Sequence, residues 1–330
     1  MNIQPNKPLK LNHFVIALAI AALNISCTMI PTQQKHSLAY ITNQGENTVS
    51  VIDTTENTVI KTIQVGKAPV GIAVSAQLQR AYISNVESQN ISIINTQTNA
   101  VIGTIQASGS PVGLALSPDS KTLYVADWFG NHVLVVDTYQ NKILRELKVA
   151  NAPAGMVVSP DNQQLYVANR DSNEITIIDT TTLDIKKTIP VGKHPYGLAL
   201  STSGKWLVSV NVKEDSISII NTETEQQQRL KVGYHPYCAT FSLDEKTLYV
   251  TNTEDDSVTV IDVATQKTIA SIDVGNIPEG INIDAINHRA YVANWGSSNV
   301  SVINTNTNTL LTTIKTGEKS RAFGQFILSR

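Results

Sequence analysis

Cysteine is nearly absent from this chain: 330 residues carry two, Cys27 and Cys238. A disulfide-rich scaffold is therefore excluded, and the fold must be held by packing. Charge is also scarce. Asp, Glu, Lys and Arg make up 16% of the residues, the net charge is −2, and no long run of one sign occurs. The total charge gives no nucleic-acid footprint and leaves room only for a local basic patch. Runs of helix-favouring residues are few, whereas Val, Ile, Thr and Asn are abundant, which points to strands. Catalytic signatures are missing as well: there is no CxxC, HExxH, nucleophile elbow or phosphate-binding glycine loop.

Long apolar runs are missing too. The one candidate, Phe14 to Ile25, is about a dozen residues, too short to span a bilayer as a helix. It follows a polar start with Lys7 and Lys10 and reads as the apolar part of an export signal. Ser26-Cys27 follows it and resembles a lipobox, the site where bacterial lipoproteins are cleaved and acylated. Asn24 stands where that motif usually has Leu. The expectation is a signal over residues 1–27 with lipidation on Cys27, a short linker over 28–38, and a mature domain over 39–330. The alternative is an ordinary secretory signal cleaved near residue 27. Either way the protein is expected outside the cytoplasm, in the periplasm or anchored to an outer membrane through the lipid.

What the chain has in quantity is repetition. Seven segments begin at Ala39, Ala81, Leu123, Leu165, Leu207, Leu248 and Ala290, at offsets of 42, 42, 42, 42, 41 and 42. Each opens with a run such as LYVAN, continues with one such as VSVID and a third such as TIASIDVG, and closes with a proline-led run such as PVGLALS. The runs are short, β-branched and punctuated by Gly, Pro, Asn or Asp. Four strands per period describe one propeller blade. The expected fold is all-β: a seven-bladed β-propeller with four antiparallel strands per blade. The first repeat lacks its proline-led strand, and the C-terminal segment RAFGQFILS (321–329) can supply it, with Ala322 in the proline place. The ring should thus close without an open edge.

The LYVAN, LYVTN and AYVAN runs, with VID or IIN after them and VGxxP closing each unit, resemble the YVTN β-propeller repeat family over residues 39–330. The resemblance implies fold more than function. Proteins similar to this family include periplasmic nucleic-acid binders and surface-layer proteins, with haem-binding and lactone-cleaving propellers more distant.

In a propeller the proline-led strand lies innermost, so the loops that precede it gather on one face with the loops between the second and third strands of each blade, counted from the proline-led one. The unusual residues of the chain fall there: His194, His235 and Arg321 before the proline place, Tyr196, Tyr237 and Glu279 after it, and Trp128, Arg170 and Trp295 in the neighbouring loops. These nine form the candidate ligand-binding rim. The constant set Asn43, Asn85, Asp127, Asn169, Asn211, Asn252 and Asn294 reads as turn formers bonded to nearby backbone. The two histidines lack further ligands at equivalent positions, and the acidic loop 252–256 lacks calcium-ligand spacing. No metal or cofactor is therefore expected. Glu279 and Asp284 are the only carboxylates on the inner strands. The reading is an exported, non-catalytic binding module for a protein, a glycan or a single-stranded nucleic acid. The alternative is a lactonase-like hydrolase or a redox-accessory protein acting at the channel mouth.

Overall fold

Alternating β-branched residues form strands that are buried on both faces when blades stack. That is the arrangement in the computed structural model, which describes residues 1–6, 8 and 37–329. The rest of the leader, Cys27 and all of the linker except Ser37 and Leu38 lie outside the described residues. Among the described residues no helix is long and apolar enough to cross a membrane. All strands belong to the unit Lys35–Arg330.

The strands form six four-stranded sheets and one of five; each blade is four antiparallel strands running from an inner to an outer strand, and Phe323–Gln325 adds in parallel to the inner edge of the larger sheet. Inner strands such as Pro111–Leu116 and second strands such as Thr122–Asp127 are almost wholly buried. Outer strands such as Lys142–Lys148 face solvent on most of their length. Stacked sheets bury one another's apolar faces. The recurrent tyrosines fasten neighbouring blades, as expected for a large side chain with one polar end. The hydroxyls of Tyr40, Tyr249 and Tyr291 donate to the side-chain oxygens of Asn99, Asn308 and Asn57 at 2.9, 2.8 and 2.8 Å. Each bond crosses to the next blade, and the one from Tyr291 crosses the ring closure.

The chain closes its own ring. Ile327–Ser329 pairs antiparallel with Ser37–Ala39, completing the first blade. The alignment of the segment before it differs from expectation. Ser320, not Ala322, takes the proline place: it bridges Asn43 as Pro195 pairs with Asn211. Lys319 before it has φ +57°, matching His194 at +55°. Ala322 takes the glycine place, its N–H bonded to Thr42 Oγ1 as that of Gly71 is to Ser84 Oγ. Phe323-Gly324 is then a two-residue insertion. It swings into the channel and pairs parallel with Gly71 and Ile72 of the neighbouring inner strand, a conformation allowed by φ +124° at Gly324. The period of 42 counted from Pro278 lands on Ser320.

Inner strands approach one another very closely at the glycine place. A Cβ on Gly113 would lie 1.9 Å from the Ala154 carbonyl oxygen. At the equivalent joint, where a Cβ on Gly71 would lie 2.0 Å from the Val112 carbonyl oxygen, Ser84 Oγ donates to that carbonyl at 2.8 Å. Gly113→Ala is expected to cost about 1–3 kcal/mol through forced separation of two inner strands. An unchanged midpoint in urea unfolding would show that the joint yields freely.

Candidate functional site

The side chains after the proline place point to the axis: Val70, Val112, Ala154, Tyr196, Tyr237, Glu279 and, by the corrected alignment, Arg321. In seven blades of one size these positions form a ring. In three blades they are aliphatic or small, which leaves room for two tyrosines and the inserted Phe323 to fill the axis. Tyr196 stacks tilted on Tyr237 at 4.4 Å and on Phe323 at 4.8 Å between ring centroids. All three rings are buried. The centre of the expected rim is therefore a packed plug.

Glu279 and Arg321 are neighbours in this ring, and that placement makes them partners. Arg321 Nε lies 2.5 Å from Glu279 Oε2, its Nη2 donates to the Tyr237 hydroxyl at 2.5 Å, and its guanidinium sits over the Tyr237 ring. Burial pushes the Glu279 carboxyl up, with Arg321 holding back part of the rise. Burial works against the Arg321 charge, but Glu279, Tyr237 and Tyr196 outweigh it and hold its pKa well above the ordinary value. Burial likewise raises the Tyr196 and Tyr237 hydroxyls. Beneath the plug Cys238 takes the glycine place of its blade, and burial pushes its thiol far up, so it is a protonated packing group rather than a nucleophile.

Around the plug lie two partly exposed indoles, each under a cation. Arg170 covers Trp128 at 5.4 Å, and Lys319 covers Trp295 at 5.0 Å. Trp128 packs tilted against Tyr196, with ring centroids 5.6 Å apart. Trp295 Nε1 donates to Gln44 Oε1 at 3.0 Å, and Arg321 Nη1 reaches the same oxygen at 3.3 Å. Trp295, Gln44, Arg321, Tyr237, Tyr196, Trp128 and Arg170 thus form one continuous chain of contacts across the mouth. Arg170 also pairs with Asp171 at 2.6 Å.

The histidines stand apart from this chain. Both hold the left-handed turn before the proline, at φ +55° and +52°. His235 Nδ1 bonds Thr253 Oγ1 at 2.9 Å. The His194 imidazole is held below its ordinary pKa, first by burial and then by the charges of Arg170 and Lys213. The position before the proline in the last repeat is Lys319, not Arg321. In the acidic loop, Asp255 accepts the Tyr234 N–H and Asp256 accepts the Ile277 N–H, so both carboxylates serve turns. Asp284 is engaged by Ser37 Oγ, the Ile286 N–H and Asn287 Nδ2.

The Asn set differs from expectation. Its side chains are buried, and those of the asparagines donate mainly to side chains across the hairpin. Asn43 Nδ2 reaches Thr48 Oγ1 at 2.9 Å and Ser50 Oγ at 2.8 Å; Asn252 does the same with Ser257 and Thr259. Asn85 Nδ2 also reaches the Ile83 carbonyl at 3.4 Å. Asp127 bonds the backbone, accepting from the Ser110 and Gly130 N–H groups. Its other oxygen lies 3.2 Å from His132 Nε2. Gln44, Lys319 and Phe323 are the site members that sequence reasoning missed. For Lys319 the signal was the 42-residue period.

The family model for YNCE-like β-propellers matches residues 153–325, just over half of the chain. Among curated protein sequences, none matches. Solved structures similar to this chain share its fold at low identity. A chain of Kuenenia stuttgartiensis hydrazine synthase matches at 21% identity and TM-score 0.69, covering 76% of this chain and 87% of that one. A functionally unknown protein from Desulfotomaculum acetoxidans matches at 14% and 0.75, covering 87% and 99%. A Bacteroides fragilis protein described as a candidate 6-phosphogluconolactonase matches at 15% and 0.76, covering 91% and 99%.

Proposed function

This chain belongs to the YNCE-like β-propeller family, and from that footing we propose that it is a non-catalytic binding module whose ligand face is the sealed mouth. The reading includes export, guided by the leader-like start, and anchoring through a lipid on Cys27. The ligand class argued for is a single-stranded nucleic acid. The observation that carries this is the Trp128 corner. There a partly exposed indole is held between Tyr196 and Arg170, while Arg170 and Lys213 both act electrostatically on His194.

An indole fixed from below offers a base a stacking surface without losing side-chain freedom on binding. Arg170 and Lys213, which both act on His194, supply charges that phosphates need, together with Lys193, whose carbonyl accepts the Lys213 N–H at 3.2 Å. Trp295 under Lys319 repeats the indole–cation pair on the other side of the plug. With a net charge of −2, attraction of phosphates must be local to this face. A plugged mouth favours a ligand laid across the surface over one swallowed by the channel. The hydrolase alternative loses its leading carboxylate, because Glu279 is buried and already matched by Arg321.

Titration with oligothymidylate, followed by tryptophan fluorescence at low and high salt, tests the reading. Quenching that weakens steeply with salt is expected. Trp128→Ala should weaken binding by roughly fivefold to a hundredfold, from a stacking loss of about 1–3 kcal/mol per base. A silent titration would remove nucleic acid and leave a protein or glycan. Binding indifferent to salt would remove the phosphate contacts.

A further inference from the structure

Behind the plug the channel is open. Below the glycine joints the seven inner strands surround a funnel of about 720 Å³, within the size range of small-molecule sites. Its floor is formed by Phe323 and Cys238. Its walls carry Leu116, Val158, Leu200, Phe241 and Ile283, each three residues beyond the glycine place of its own blade. The funnel lies on the face opposite the Trp128 corner, and the plug separates the two. It therefore stands independently of the nucleic-acid reading.

The lining holds no charged side chain. Its polar groups are largely committed to one another. Asn282 Nδ2 donates to Gln325 Oε1 at 3.1 Å, and Asn282 Oδ1 accepts the Ile327 N–H. At the mouth Ser75 Oγ donates to Ser120 Oγ at 2.9 Å, Ser117 Oγ donates to Asp119, and Ser201 pairs with Ser203. A charged ligand drawn into this space would lose hydration and meet no counter-charge. An apolar one would exchange water for aliphatic and aromatic walls. The closed floor admits a ligand from one end only, so a chain cannot thread through.

We propose that this funnel is a second binding site, for a neutral and largely apolar small molecule that enters from the mouth opposite the plug. The probe for the test is N-phenyl-1-naphthylamine, a neutral fluorophore, titrated into the full chain. Saturable enhancement at one site per chain is expected, with the anionic 8-anilino-1-naphthalenesulfonate at least about tenfold weaker. Leu200→Asp in the wall should weaken the neutral probe at least about tenfold. Leu243 lies at the mouth and is 63% exposed, so Leu243→Asp leaves folding untouched and should weaken the probe about threefold. Any uptake by the apolar leader is common to all variants and cancels in the comparison. If Leu200→Asp fails to fold, Leu243→Asp and the neutral–anionic pair decide. Absence of saturation, equal affinity for the two dyes, or wild-type affinity in the folded variants would overturn the site.

Discussion

Deletion of residues 320–330 is expected to leave a chain that aggregates or fails to melt cooperatively. This segment supplies the inner strand of the first blade and part of the plug at once. Phe326 and Leu328 are buried in the core of the closing blade, and Phe323 is buried on the axis. Each such side chain contributes roughly 1.5–3 kcal/mol by burial, and net stability of a domain is only about 5–15 kcal/mol. The backbone is lost with them: the Tyr40 N–H donates to the Phe326 carbonyl at 3.0 Å, and the Arg321 N–H to Thr42 at 2.8 Å. Without these partners Ser37–Asn43 becomes an unpaired edge. Phe326→Ala, a milder form of the same lesion, should cost about 3–5 kcal/mol. Circular dichroism on heating reads both. A soluble truncation melting within a few degrees of the full chain would mean that the ring does not depend on this closure.

The blades and their closure were legible because a repeat states its fold seven times. One LYVAN run is ambiguous, whereas seven runs in phase with proline turns and outer hairpins leave one architecture. The ring position of Glu279 was legible for the same reason. Arg321 was identified as a site member but set one ring too far out, because RAFG imitates the PxG pattern of other repeats. Counting 42 from Pro278 to Ser320 and from Gly280 to Ala322 would have corrected it. The plug was not legible. Whether a tyrosine after the proline turns outward or fills the axis depends on what the other six blades place there. Val70, Val112 and Ala154 leave the space that Tyr196, Tyr237 and Phe323 occupy. The hairpin partners of the Asn set were hidden for a related reason. Thr48, Ser50, Ser257 and Thr259 looked like ordinary strand hydroxyls until the register placed them beside Asn43 and Asn252. The funnel followed from the plug, since a channel open at both ends and a pocket closed at one share the same wall sequence.

Arg321→Met is expected to destabilise the protein by about 3–5 kcal/mol, and a second change, Glu279→Gln, should recover most of that loss. The single variant leaves a buried carboxylate without its counter-charge, and the double variant leaves none. The pair itself therefore need contribute little net stability; breaking it on one side is what costs. The effect should depend on pH. Burial already raises the Glu279 carboxyl in the folded protein, and removing Arg321 raises it further. A folded pKa above the unfolded value, about 4.3 for Glu, gives stability that is complete below the unfolded pKa. That stability is lost as pH rises through the folded one. Arg321→Met should accordingly melt higher at pH 5 than at pH 8. The wild type should show the same trend more weakly, since Arg321 compensates the ionised form. Glu279→Gln alone leaves the guanidinium buried, and Arg321 cannot shed its proton, so its loss should be nearly independent of pH over this range. A double variant no better than Arg321→Met, or a single variant whose melting ignores pH, would mean that water reaches Glu279 and that the mouth is wetter than its packing implies.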